Sequence, residues 1–296
     1  MNKYAPLAVL FLLTACNQPQ KVTTDDATAD TVATTTSNTT TAAEKSEDTN
    51  TGFSKEDLDI PKEKEESFVV EESSKDTYIP FCFSFKESKQ QYKATCKDTA
   101  QFATLVKAPL NYIGIWSTCD VNEDGKTDYL IGVKGTDKEC FEEDMRGEMV
   151  DRNRRGFILV INKGDHFETD IYNLNCFLSE NEDGGVYYAP ELTVGADGKK
   201  LNVEYSHGRY GLWNYTFNYA NGNYELVKCF REENQGPVTE TESQLDISSN
   251  TLKIKHLNGD WTTYGEDGPS DSDYTSNTYK VKQLRKVLIT DITTLF

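Results

Sequence analysis

Nine residues carry the densest coordination chemistry in the sequence: Asp120-Val-Asn122-Glu-Asp124-Gly125-Lys126-Thr-Asp128. Oxygen side chains recur at the alternate positions 120, 122 and 124, and another closes the run at 128. A hard cation such as calcium takes six to eight oxygens at about 2.3–2.6 Å, and a short loop supplies them by alternation while the chain curls around the ion. Gly125 stands at the sixth position, where the sharp turn favours a residue without a Cβ. Lys126 would offer its backbone carbonyl, and Asp128 would close the shell. Three carboxylates and one amide suit calcium better than zinc, which takes Cys and His. The motif holds no general base or nucleophile, so a bound calcium is expected to be structural. The alternative is an Asx-rich surface turn with no ion.

Such a loop needs two strands to hold it. Residues 111–118 lead in and residues 129–133 lead out, both with strand patterning. The twelfth position is Ile131 rather than a bidentate Glu, and a strand follows rather than a helix, so the loop is not an EF-hand. The pattern D-x-N-x-D-G-x-x-D ahead of an apolar strand resembles the calcium loop of FG-GAP and related repeat proteins, over residues 119–135. The resemblance implies a calcium-bearing turn between two strands of a β-propeller blade. Those propellers repeat the loop. Here the Asp-Gly sites around Gly184, Gly198 and Gly268 lack the flanking oxygens, so a regular propeller is not expected.

The remaining pattern is mostly period two. Asp197-Gly198 and Asn221-Gly222 sit between alternating apolar runs, the strongest short hairpin signal. Runs at 80–85, 157–161, 192–194, 201–205, 213–219 and 224–227 read as strands, with a last pair at 252–256 and 281–289. Short helices are expected only near 97–105 and 139–150. Residues 77–296, with the calcium loop at 120–128, are therefore expected to form one β-rich globular domain. Its class is all-β, an antiparallel meander built as a sandwich or a partial propeller-like stack.

Other chemistry-bearing residues are scattered, and no catalytic residue is assigned. His207 is followed by Gly208-Arg209-Tyr210-Gly211, just before Trp213, and these are candidates for a ligand-binding loop; the alternative is a plain hairpin connection. Arg152 and Arg154, with Arg146 and Arg155, could grip carboxylates or phosphates; the alternative is pairing with Glu142, Glu143, Asp144 and Glu148. Trp213 and Trp261 could stack on sugars, although strand aromatics are more often core. A rival function is an envelope hydrolase acting on glycans or esters through His207 and a carboxylate. Residues 205–217, together with 120–128 and 151–156, are similar to uncharacterised secreted bacterial proteins with a single FG-GAP-like loop, a likeness that implies no activity.

The N-terminus gives an address. Lys3 precedes an apolar stretch at 5–15 that is too short to span a bilayer, and the stretch reads as a signal peptide, residues 1–15. Its end, Leu13-Thr14-Ala15-Cys16, resembles the lipobox of bacterial lipoproteins. The resemblance implies cleavage before Cys16 and lipidation of that residue. Asn17, in place of Asp, implies the outer membrane, with the domain periplasmic or surface-facing. Residues 16–76 are rich in Thr, Ser and acid. From 17 to 76 fifteen acidic residues stand against six lysines, a net of −9 within the total of −18. Such a segment is expected to be a disordered tether of roughly 40 Å mean reach. Asp30-Thr-Val resembles a short O-glycosylation motif of some Bacteroidetes. The overall charge argues against nucleic acid as a partner. The expected partners are the membrane, through the lipid, and an envelope protein or glycan. Six cysteines remain after Cys16, an even number in an exported chain, which favours disulfides. A Cys119–Cys140 bridge would clamp the loop; buried thiols are the alternative.

Overall fold

The computed structural model describes residues 65–67, 82–85, 92–182, 188–264, 268–281 and 286–295. They belong to one compact unit, Thr49–Phe296. The strands in chain order are β1 (Glu65–Ser67), β2 (Cys82–Phe85), β3 (Thr95–Cys96), β4 (Leu110–Cys119), β5 (Asp128–Gly135), β6 (Phe141–Glu143), β7 (Met149–Asp151), β8 (Arg155–Asn162), β9 (Phe167–Phe177), β10 (Glu191–Asp197), β11 (Lys200–Ser206), β12 (Gly211–Ala220), β13 (Asn223–Gln235), β14 (Val238–Asp246), β15 (Thr251–Leu257), β16 (Tyr274–Lys280) and β17 (Ile292–Thr294). All ladders among them are antiparallel. β10 to β16 form a seven-stranded meander in sequence order, and β3-β9-β8-β5-β4 form a five-stranded sheet. β1, β2 and β17 make a small third sheet, and β6 and β7 a separate hairpin. The all-β antiparallel meander expected from the sequence is the fold. No described helix is long and apolar enough to cross a membrane.

Burial explains why the strands differ in composition. On β11, Leu201, Val203 and Tyr205 are buried and the residues between them are not, which is a strand with one covered face. On β8, Gly156 through Ile161 are buried without a break. The five-stranded sheet is covered on both sides. Phe157, Leu159 and Ile161 share a core with Val203, Tyr215, Phe217, Cys229 and Leu245 of the meander. Ile158 and Val160 point the other way and join Ile131, Val133 and Leu174 beneath Phe102 and Leu105. Phe102 lies on a 3-10 helix, Thr99–Leu105, where the sequence predicts a short helix. Its ring meets Tyr129 and Phe167 edge-on at 5.1 and 5.3 Å. Removing a ring at such a site costs about 3–5 kcal/mol.

Several expectations change. Residues 139–150 are not helical: a 3-10 turn, Lys138–Cys140, leads into the β6–β7 hairpin. Asp144 Oδ1 accepts from the N–H groups of Arg146 (2.8 Å) and Glu148 (2.9 Å), an Asx turn that reverses the chain. The partner of β15 is β16, not residues 281–289. β14 was hidden by its Thr and Glu content; Val238, Ser243 and Leu245 are its buried residues. Residues 65–67, within the span assigned to the tether, pair with β2 as β1. The signal peptide, Cys16 and most of the tether lie outside the described residues.

The five described cysteine side chains, Cys96, Cys119, Cys140, Cys176 and Cys229, carry thiols rather than disulfides. A Cys119–Cys140 bridge fails on distance. Cys119 stands opposite Asp128, whereas Cys140 lies beyond Gly135 at the other end of β5. That length of strand spans roughly 23 Å, against a Cα limit of about 7 Å for a disulfide.

Candidate functional site

β4 and β5 pair from Leu110–Gly135 to Cys119–Asp128, which makes residues 120–127 the connection of a hairpin. The backbone enters the left-handed region at Glu123 (φ 58°) and Gly125 (φ 80°), and the glycine does so without a Cβ penalty. The acidic side chains bind the loop's own backbone. Asp120 Oδ1 accepts from Asp124 N–H (3.0 Å) and Oδ2 from Gly125 N–H (2.9 Å). Asn122 Oδ1 accepts from Asp124 N–H (3.1 Å), and Asp124 Oδ1 from Lys126 N–H (2.9 Å). The Lys126 ammonium lies 2.9 Å from Asp124 Oδ2 and holds that carboxyl below its ordinary range.

Asp128 is different because it is fully buried. Its Oδ2 accepts from Val121 N–H (3.0 Å) and its Oδ1 from Asn162 N–H (2.9 Å), which ties the loop to the β8–β9 turn. Burial pushes the Asp128 carboxyl up. The two N–H bonds oppose that without cancelling it, and the charges of Asp124 and Asp120 add to the rise. Next to it, burial takes the Cys119 thiol up to about 11, with Asp128 and Asp120 contributing, so this thiol is a core group rather than a nucleophile.

The donor set fits a hard cation in kind. Asp120, Asp124 and Asp128 bring three carboxylates against one lysine, and each of their oxygens takes one recorded hydrogen bond where it can take two. Among the described residues, no three carboxylate, imidazole or thiol groups are gathered closely enough to hold a metal ion, so calcium would have to draw these side chains together. If it binds, Asp120, Asn122, Asp124, Asp128 and the Lys126 carbonyl are the groups to hold it, and its chemistry there is charge neutralisation.

The arginines have long-range structural partners. Arg154 Nε donates to the Asn175 carbonyl (2.6 Å), and its Nη2 to the Thr293 carbonyl (3.2 Å) and Thr294 Oγ1 (3.4 Å). These bonds fasten β17 to β9. Arg155 donates to the carbonyls of Leu178 (2.8 Å) and Ser179 (3.2 Å). Arg152 faces Glu142 at 3.7 Å. Arg152, Arg154 and Arg155 are thus held by different partners, and the Arg152–Glu142 pair is one of the pairings the sequence offered as the alternative to ligand binding.

His207 and Trp213, by contrast, are brought together. The His207 ring lies 6.5 Å from Trp213, 5.1 Å from Tyr210 and 5.3 Å from Tyr188. Its Nε2 bonds to the Tyr188 carbonyl (2.7 Å). Arg209 is exposed on the same turn. Arg231 covers the Trp213 ring at 5.6 Å. Among the described residues the recorded hydrogen-bond partner of the His207 ring is the Tyr188 carbonyl. Tyr188 and Arg231 were missed by sequence reasoning. Their proximity follows only from the register that sets Trp213 opposite Arg231 and from the fold of the connection before β10. No protein family, curated protein or solved structure matches the chain.

Proposed function

We propose that the chain is a lipid-anchored protein of the bacterial outer membrane whose β domain carries a structural calcium ion and either binds an envelope protein or glycan or serves the envelope structurally. The observation that supports it best is Asp128: a fully buried carboxylate with Asp120 and Asp124 as charged neighbours, at the end of a nine-residue oxygen-rich turn. A divalent cation there removes mutual repulsion that one lysine offsets only in part. The cluster of Tyr188, His207, Tyr210 and Trp213 is the binding face in this reading. Titration calorimetry of the full chain with calcium tests the site: wild type takes up one ion and Asp124→Ala none. Absence of uptake by wild type removes calcium from the account. Anchoring is tested separately. Cys16→Ser should move the protein from the membrane to the soluble fraction or leave it unprocessed, and wild type found soluble would rule out the lipid.

A further inference from the structure

The seven-stranded meander has two ends, and they are treated differently. At β10 the end is covered: Ser117 Oγ of β4 accepts from Ala196 N–H (2.9 Å) and donates to the Ala196 carbonyl (3.2 Å). At β16 the end is open, with no described strand beyond it. Native edges are usually blunted by proline, mid-strand charge or a bulge. β16 reads Tyr-Thr-Ser-Asn-Thr-Tyr-Lys, its middle four residues are exposed, and it pairs with β15 without a register shift.

The register shows which backbone groups of β16 are left unpaired by the described strands. Asn258 N–H donates to the Asp273 carbonyl and Val281 N–H to the Asn250 carbonyl. Hydrogen-bonded positions alternate along an antiparallel ladder. Thr275, Asn277 and Tyr279 therefore exchange bonds with β15, while Tyr274, Ser276, Thr278 and Lys280 direct their N–H and C=O groups away from the sheet.

We propose that β16 pairs antiparallel with β16 of a second copy about a twofold axis at Asn277, joining the two meanders into one continuous sheet. This register sets Ser276 against Thr278 of the second copy, and Tyr274 against its Lys280. All four outward-facing residues then exchange backbone hydrogen bonds. A shift by two residues leaves one of them outside the ladder. Charge selects the antiparallel sense and a like strand as occupant. Asp271 and Asp273 precede β16 and Lys280 ends it, with a neutral stretch between. Each acidic end therefore lies beside the basic end of the other copy. No like charges oppose each other along the strand. A seven-residue edge buries less than the roughly 1,200 Å² typical of stable interfaces, so the dimer is reversible and grows with concentration.

Sedimentation velocity of the detergent-solubilised full chain over a concentration series tests this. Wild type should show a reversible monomer–dimer equilibrium. Ser276→Lys with Thr278→Lys opposes lysines twice across the axis and should weaken the dimer roughly tenfold, with the melting temperature reporting that the fold is intact. Ser276→Glu with Thr278→Lys opposes Glu to Lys in the same register and should restore it. In hydrogen exchange, the amides of Tyr274, Ser276, Thr278 and Lys280 should be slow in concentrated protein and fast in dilute protein. A wild type that stays monomeric at every concentration overturns the proposal. So does a double-lysine variant that dimerises normally. Protection of those amides that is independent of concentration also overturns it, because another segment then covers the edge.

Discussion

The loop at 120–128 and the arginines at 152–155 are both dense in charge, yet they are held in opposite ways. Every hydrogen bond recorded to Asp120, Asn122 and Asp124 comes from a donor within five residues. The acceptors of Arg154 lie 21, 139 and 140 residues away. In the first region Asp120, Asn122 and Asp124 bond within the turn and Glu123 reaches out to Lys199 (2.5 Å); the second closes β17 onto the domain. Asp128 joins the two styles, with one local partner, Val121, and one 34 residues off, Asn162. Charge that folds upon itself is left available for an ion. Charge that clasps distant backbone is not left available for a ligand.

If that distinction holds, mutation should separate the regions. Arg154→Ala removes a buried, charge-assisted clasp and leaves the Asn175 and Thr293 carbonyls without it, so urea unfolding should show a loss of about 3 kcal/mol or more. A loss under about 1 kcal/mol would place Arg154 with ordinary surface residues. Asp128→Asn keeps one acceptor for two N–H donors and should lose about 1–3 kcal/mol. That loss depends on pH in chelator. Because the folded-state pKa of Asp128 is raised, its contribution is fully present below the unfolded value of about 3.9 and is lost as pH rises through the folded value. The advantage of wild type over Asp128→Asn should therefore be largest near pH 4 and shrink toward neutrality; an advantage that grows with pH contradicts the burial of an ionisable carboxyl.

A smaller effect is expected where Lys134 bridges Asp151 (2.8 Å) and Glu180. Burial alone would raise the Asp151 carboxyl, but the bonds from Lys134 and Asn153 carry it below the ordinary range. Its contribution is present above about pH 3.9 and lost as the pH falls further. Lys134→Met should flatten the acid limb of the stability curve, and an unchanged limb would assign that slope to other carboxyls. Smallest of all, Asp124→Ala in chelator should stay within about 0.5 kcal/mol of wild type, because the side chain is on the surface.

What could be read from the sequence follows the same division. β4, the loop and β5 were legible because the turn chemistry and the flanking alternation are contiguous. The meander from β10 to β13 was legible because Asp197-Gly198 and Asn221-Gly222 mark its tight turns. β14 was not, since its strand character comes from β13 and β15 on either side rather than from its polar residues. Residues 139–150 misled because the Asx turn at Asp144 competes with helix, and only the geometry shows which wins. The roles of the arginines were invisible for a simple reason: their acceptors are backbone carbonyls, which every residue has.

Thermal unfolding of wild type in calcium and in chelator tests the central claim most directly. Sites of this kind bind with dissociation constants on the order of 10⁻⁴ to 10⁻³ M. At about 1 mM free calcium and a dissociation constant near 10⁻⁴ M, linkage adds about 1.4 kcal/mol, a rise of a few degrees in a domain of this size. The account predicts that rise for wild type, its absence in Asp124→Ala, and a weaker effect of magnesium, which demands stricter octahedral geometry. Identical wild-type melts in calcium and chelator would contradict it and leave residues 120–128 as an Asx-rich turn closed by Lys126.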